Sequence, residues 1–282
     1  MRHARGLCIP LPWRAAAAER YAVAMVRIRF ILAAALALAS CAGAPVLESE
    51  RLVDLTHPFD QDTIYWPGNQ GFELEHTKWG EDEQGRWYAA AQFRAAEHGG
   101  THLDAPLHFA PKGRAVADIP LAQLIGPARV IDVQPQCVAN RDYQVSVDDI
   151  TAHEAAHGRL SEGSVVLIRT GWARSWPDRK RYLGNDDPEA GGELHFPGLS
   201  REAARLLSER RVALVGIDTA SLDSGPSKDF AAHRTLAEAG VSGLENLTGL
   251  EDLPVRGATV LALPMKIGGG SGAPARVIAL LP

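Results

Sequence analysis

Along the chain, apolar residues recur in short alternating runs separated by turn formers. The runs predict strands at Leu52–Leu55, Trp87–Ala95, Ala128–Val133, Ser164–Arg169, Val212–Ile217, Thr259–Leu263 and Ala275–Leu280. Three segments carry helical spacing instead: Val147–Leu160, Ser200–Arg210 and Phe230–Ala239. Ser146 stands as a cap ahead of Asp148 and Asp149, Ser200 precedes Glu202, and the third segment stops at Gly240. In the second, Ala204, Leu206 and Leu207 form the apolar stripe. Helices between strand-rich runs indicate an α/β fold, although the long strand-rich first half does not follow a simple βαβ alternation. No internal repeat or flexible linker divides residues 50–282, so that stretch reads as one domain.

The N-terminal pattern differs. Residues 1–40 hold six Arg against one acid, Glu19, and the apolar run from Phe30 to Ala39 follows Arg27 and Arg29. That run is too short to span a bilayer core of ~30 Å and reads as the apolar region of an export signal. Leu38-Ala39-Ser40-Cys41 resembles a bacterial lipobox, which makes Cys41 the lipidated mature N-terminus and residues 41–50 a tether; a second Met at position 25 is an alternative start. With no Asp after Cys41, the expectation is a periplasm-facing lipoprotein of the outer membrane. Cys8 is then lost with the leader and Cys137 stands alone, so no disulfide is available.

Charge changes the picture once the leader is set aside. The whole chain has 29 basic and 34 acidic residues, a net charge of -5; without residues 1–40 the balance is 23 against 33, or -10. No block of Lys or Arg appears outside the leader, which excludes a nucleic-acid partner.

The densest chemistry lies in Glu97-His98-Gly99-Gly100-Thr101-His102-Leu103-Asp104-Ala105-Pro106-Leu107-His108. Gly99, Gly100 and Pro106 oppose a helix here, and in an extended segment His98, His102, Asp104 and His108 share one parity and project to one side. Two imidazoles and a carboxylate make a three-ligand set for Zn²⁺ or Mn²⁺, with a further His near enough to handle protons.

This segment resembles the signature of the metal-dependent cyclase family of hydrolases, which includes bacterial kynurenine formamidase and isatin hydrolase: His-x-Gly-Thr-His-x-Asp-x-Pro-x-His. Further similarity runs through Tyr65-Trp66-Pro67-Gly68, Arg169-Thr170-Gly171-Trp172, His195-Phe196-Pro197-Gly198, Gly216–Asp223, His233, Glu245-Asn246-Leu247 and the glycine-rich 268–274. The resemblance implies a single α/β domain over 51–282 with a β-barrel-like mixed-sheet core and flanking helices. It implies His98, His102 and Asp104 as metal ligands, His108 as catalytic acid/base, and His233 and Glu245 as completing a second metal position bridged by Asp104. One or two ions, Mn²⁺ or Zn²⁺, stay open. It further implies a homo-oligomer, a dimer or higher, and a small aromatic amide as substrate, walled by aromatic side chains for which Trp66, Phe59 and Trp79 are the candidates. The Glu97–His102 wording and the His195–Gly198 segment look most like the isatin hydrolases, which open a cyclic amide to isatinate. The alternative is an arylformamidase acting on N-formylkynurenine-like formamides.

Two other readings compete. His153-Glu154-Ala155-Ala156-His157 fits the zincin pattern His-Glu-x-x-His on a predicted helix, but it has no persuasive third ligand downstream and reads as an ordinary connecting helix. A non-catalytic ligand-binding lipoprotein would need ligands but no proton donor, and the presence of His108 speaks against it.

Overall fold

The computed structural model describes residues 49–185 and 193–282. The leader, Cys41 and all of the tether except Ser49 and Glu50 lie outside the described residues.

Ser49–Pro282 folds as one unit. Its strands in chain order are β1 (Leu52–Asp54), β2 (Glu73–Glu81), β3 (Trp87–Arg94), β4 (His102–Asp104), β5 (Ile125–Asp132), β6 (Gln144–Val145), β7 (Val165–Arg169), β8 (Gly198–Leu199), β9 (Leu214–Ile217), β10 (Ser242–Glu245), β11 (Arg256–Pro264) and β12 (Gly272–Leu280). The α-helices are α1 (Leu121–Leu124), α2 (Gln134–Ala139), α3 (Val147–His157), α4 (Arg179–Leu183), α5 (Arg201–Glu209) and α6 (Ala231–Glu238). The main sheet runs β12-β11-β5-β7-β9-β10-β4 and closes because β4 also pairs with β12, giving a seven-stranded barrel with β1 extending the free stretch of β12. Strands β5, β7, β9 and β10 are parallel, and the rest of the barrel is antiparallel. This is the α/β fold with a barrel-like mixed sheet that the sequence resemblance implies.

Alternation along the strands divides the core. On β7, Val165 and Leu167 point inward to Ala128, Val130 and Leu214, whereas Val166 and Ile168 point outward to Ile150 of α3, Ala204 and Leu207 of α5, and Leu236 of α6. Burial on both faces is why this strand reads as an unbroken apolar run. The inner faces of β11 and β12 carry Ala258, Ala262, Ala273, Ala275 and Ala279, small enough for a closed barrel of few strands.

Local chemistry sets the helix ends. Ser146 and Asp149 form a reciprocal capping box for α3, which stops at His157 rather than Leu160 because Gly158 turns at φ +85°. Ser200 caps α5 through the backbone N–H of Ala203. The apolar stripe of α5 buries Ala203, Ala204 and Leu207, leaving Leu206 half-buried.

The histidine segment departs from a continuous extended run. The chain turns at Gly100 (φ +57°), forms only three residues of strand at His102–Asp104, and enters a 3₁₀ turn at Pro106–His108. A turn, not shared strand parity, brings His98 and His108 toward the side chains of β4. The apolar pattern predicts none of β2, β4, β6, β8 and β10: β6 and β8 have two residues each, and the other three carry no apolar alternation that stands out against their flanks. In β2 and β3 the hairpin stands apart as a two-stranded sheet, with Leu74, Trp79, Trp87 and Phe93 more than half exposed.

Candidate active site

Strand β4 is the barrel's closing stave and the scaffold of the site. Leu103 points into the core, so His102 and Asp104 on either side of it point to the outer side of the barrel wall. Across β10 the register sets Glu245 opposite His102 and Gly243 opposite Asp104, and across β12 it sets Gly272 opposite Asp104. Two glycines therefore flank the Asp104 carboxylate. A Cβ on Gly272 would collide with the His98 ring, which closes on Asp104 from that side.

Four imidazoles converge on two buried carboxylates. His98 Nδ1 lies 2.6 Å from Asp104 Oδ1, and His102 Nε2 lies 3.2 Å from the same oxygen and 3.4 Å from Glu245 Oε2. His233 Nε2 is 3.1 Å from Asp104 Oδ2 and 2.8 Å from Glu245 Oε1. The ring of His108 stacks on that of His98 with centroids 3.8 Å apart. Asp104 thus faces both halves of the cluster, with His98 and His108 on one side and His102 and Glu245 on the other.

The outer nitrogens are already committed. His102 Nδ1 lies 3.0 Å from the Gly100 carbonyl, which can only accept, so Nδ1 carries the proton and Nε2 faces the carboxylates as a lone pair. That Nε2 is buried without a hydrogen-bond partner. His233 Nδ1 sits 2.6 Å from Asp223 Oδ2, which also takes the backbone N–H of His233 itself at 3.0 Å. Lone pairs aimed at carboxylates suit a cation between them: the donor atoms of His102, Asp104 and Glu245 lie within 4.8 Å of one another, as do those of His98, Asp104 and His108, with His233 Nε2 beside Glu245. The same carboxylates favour any positive charge set against them. Burial opposes a charge on His102, yet Asp104 and Glu245 outweigh it and lift its pKa to about 9. Burial likewise opposes charge on His233, and Glu245, Asp104 and Asp223 outweigh it, holding that pKa well above the usual histidine range. Asp104 is pushed up by burial but held well below the usual carboxylate range, chiefly by His102.

His108 behaves differently. One edge is open to the cavity while the rest of the ring is desolvated against its neighbours, which lowers its pKa below the usual histidine range despite the pull of Asp104. It is therefore a neutral imidazole at neutral pH, able to take up and pass on a proton.

Above the cluster opens a cavity of about 210 Å³ with Tyr65, Trp66, Phe109 and Phe230 in its wall. Trp66 stands on the turn closed by the Asn69 N–H to the Trp66 carbonyl, and its ring lies 5.9 Å from that of Phe230. Phe59 does not line the cavity; it packs beneath Gly100, where a Cβ would come 2.5 Å from its ring. Trp79 does not line it either: it lies on the β2–β3 hairpin, 64% exposed and stacked on His76. An aromatic count cannot distinguish a wall from a prop or from a hairpin face. Phe109 and Phe230 were missed, although Phe109 is next to His108 and 4.7 Å from the His233 ring. Phe230 is held at φ +49° at the start of α6, a placement no periodicity reports.

The His-Glu-x-x-His motif is structural. Glu154 binds Arg210 with two contacts of 2.8 Å and accepts the Leu160 N–H. His153 Nε2 faces the Arg129 guanidinium at 3.4 Å, so a cation already occupies the space beside it. His195 pairs with Asp142 at 2.9 Å and lies outside the cavity lining.

Residues 53–224 match the model of the family described as "Putative cyclase". Among characterised proteins, the chain is 33% identical over 210 residues to an isatin hydrolase of Roseibium aggregatum, covering 71% of this chain and 78% of that one. It is 32% identical over 228 residues to a kynurenine formamidase of Salinibacter ruber, covering 80% and 96%. The solved structure of isatin hydrolase A from Ralstonia solanacearum superposes with a TM-score of 0.75 at 34% identity, covering 90% of this chain and 97% of that one. A family model matched over more than half the chain, and relatives above 30% identity across most of it, place this protein in the cyclase family.

Proposed function

We propose that this chain is a metal-dependent amidohydrolase that opens a small aromatic cyclic amide, isatin or a close analogue, to the ring-opened acid. The observation that carries the reading is the set of imidazole lone pairs and two buried carboxylates at the floor of an aromatic-walled cavity. A divalent ion held there supplies acidified water and a polarised carbonyl. The donor set has no thiolate and suits Mn²⁺ or Zn²⁺, as one ion or two.

The chain's own residues supply the rest. Trp66, Phe109 and Phe230 stack against a flat aromatic ring and exclude bulk water from the amide. Neutral His108 takes the proton of the attacking water and hands it to the departing nitrogen, so the C–N bond breaks to an amine and a carboxylate without a free amide anion. Asp223 holds His233, and the Gly100 carbonyl holds His102, in the orientation that presents lone pairs inward. The same site suits a linear formamide, and the 32% identity to a kynurenine formamidase favours N-formylkynurenine as the second candidate.

The purified protein should hydrolyse isatin, lose turnover on treatment with a chelator, and regain it with Mn²⁺ or Zn²⁺. Absence of metal-dependent turnover on isatin, with turnover on N-formylkynurenine, would transfer the assignment to the formamidase reading; turnover on neither would sink the enzyme reading. We further infer a homo-oligomer, supported by the exposed apolar face of the β2–β3 hairpin, and export as a lipoprotein through Cys41, supported by the leader pattern.

A further inference from the structure

We propose that Glu97 and Ser271 form a positioning pair that fixes which nitrogen of His98 carries the proton, and so presents its Nδ1 to the metal. The inference rests on the metal-dependent reading of the site but not on the identity of the substrate. Ser271 lies in the glycine-rich loop before β12, outside the stretch matched by the family model, and 173 residues from His98.

Hydrogen-bond accounting sets the direction. Glu97 Oε2 accepts both the Ser271 backbone N–H at 3.0 Å and the Ser271 hydroxyl at 2.7 Å. A serine hydroxyl has one hydrogen, and it is spent on the carboxylate. Toward His98 Nε2, 2.9 Å away, Ser271 Oγ can then only accept. Nε2 therefore carries a proton, and Nδ1 faces Asp104 Oδ1 at 2.6 Å as the metal-binding nitrogen. His102 and His233 have their outer nitrogens held by the Gly100 carbonyl and Asp223. Glu97 and Ser271 do the same for His98, the one ligand of the three whose outer partner is a hydroxyl that could otherwise turn either way.

The backbone is shaped for this contact. A Cβ on Gly270 would stand 2.8 Å from Glu97 Oε1, and one on Gly272 would strike the His98 ring and approach the Leu103 carbonyl to 2.7 Å. Glycine on both sides lets Ser271 reach His98 and Glu97 together.

The test compares the full-length protein with Ser271→Ala, Glu97→Leu and Glu97→Gln. Zn²⁺ affinity is measured by competition with a chromophoric chelator, and the His98 Nε2–H is followed by ¹H–¹⁵N NMR of the zinc-loaded protein. Ser271→Ala and Glu97→Leu should weaken Zn²⁺ by ~10–100-fold, the usual cost of losing an outer-shell partner. Glu97→Gln, whose amide oxygen can still accept from Ser271, should weaken it less than Glu97→Leu. The protected Nε2–H resonance should be present in the parent and lost in Ser271→Ala, while the thermal midpoint of the metal-free protein stays close to the parent's. If Ser271→Ala does not fold, the order of the two Glu97 variants decides. Parent-like zinc affinity and an unchanged His98 resonance in Ser271→Ala and Glu97→Leu would overturn the pair. A parent that binds no Zn²⁺ would instead refute the metal reading of the site, and this inference with it.

Discussion

His102 and Glu245 are register partners across the antiparallel pair of β4 and β10, and their side chains meet at 3.4 Å on the outer side of the barrel wall. Sheet pairing thus brings together two donors 143 positions apart. Glu245 also accepts the Leu222 N–H at 2.8 Å, which holds Oε1 in place beside His233. Glu245→Gln keeps the shape but replaces one oxygen with a nitrogen that cannot ligate. Metal content after dialysis should fall, with affinity dropping by more than the ~10–100-fold typical of outer-shell partners. Elemental analysis at matched protein concentration checks this, and full retention of metal would remove Glu245 from the ligand set.

His108 is expected to separate metal binding from turnover. Its ring stacks on His98 but makes none of the contacts that tie the Asp104 and Glu245 carboxylates together. His108→Ala should therefore keep bound metal while kcat falls by ~10²–10⁴-fold, the range for loss of a general acid or base. Parallel measurement of metal stoichiometry and kcat distinguishes this from loss of a ligand.

The parts of the fold that declare themselves along the chain are those buried on one or both faces by local pattern. All seven predicted strands and all three predicted helices are present, with ends shifted by a few residues. β4 and β10 escape prediction because their residues are chosen for the site: His102, Asp104, Ser242, Gly243 and Glu245 carry no apolar alternation. The clustering of His98, His102, Asp104 and His108 was legible because three His and an Asp stand within 11 residues among turn formers, and the fold does bring them together. Of the cavity wall Trp66 was legible, but Phe109 and Phe230 were not, since they stand far apart in the chain and become neighbours only where α6 packs on the turn after β4, with ring centroids 5.4 Å apart. Ser271 is a plain loop serine until the pairing of β12 with β4 sets it beside His98.

The Glu154–Arg210 pair makes a stability prediction with a definite sign. The Arg210 guanidinium, aided by the Leu160 N–H and working against partial burial, brings the Glu154 pKa down to about 2. A carboxyl lowered on folding contributes stability that is fully present above its unfolded pKa near 4.5 and is lost as pH falls toward 2. Glu154→Gln should destabilise the protein at pH 7 by about 1–2 kcal/mol, allowing for solvent screening of a part-exposed pair. The difference should shrink between pH 4.5 and 2. Urea melts across that range test it. Turnover at pH 7 should be unchanged, because Glu154 faces Arg210 and not the cavity.

The β2–β3 hairpin makes a prediction about assembly. Its cross-strand pairs place Leu74 opposite Phe93, and Trp79 opposite Ala89, while Trp87 meets the Trp79 ring at 5.8 Å. These side chains share one face with His76 and Glu81, and the opposite face carries Glu73, Glu75, Lys78, Gln92 and Arg94 together with Tyr88. An isolated two-stranded hairpin is marginal in water, and contiguous exposed aromatic surface of this kind marks a contact. The homo-oligomer proposed above makes a second copy of this chain the partner. Replacing Trp79 and Trp87 together by Ser takes the two indoles from that face without touching the barrel or the histidine–carboxylate cluster. Light scattering coupled to size exclusion should then show a shift from oligomer to monomer at micromolar protein, with metal content unchanged. A parent protein already monomeric under the same conditions would remove the hairpin as an assembly surface.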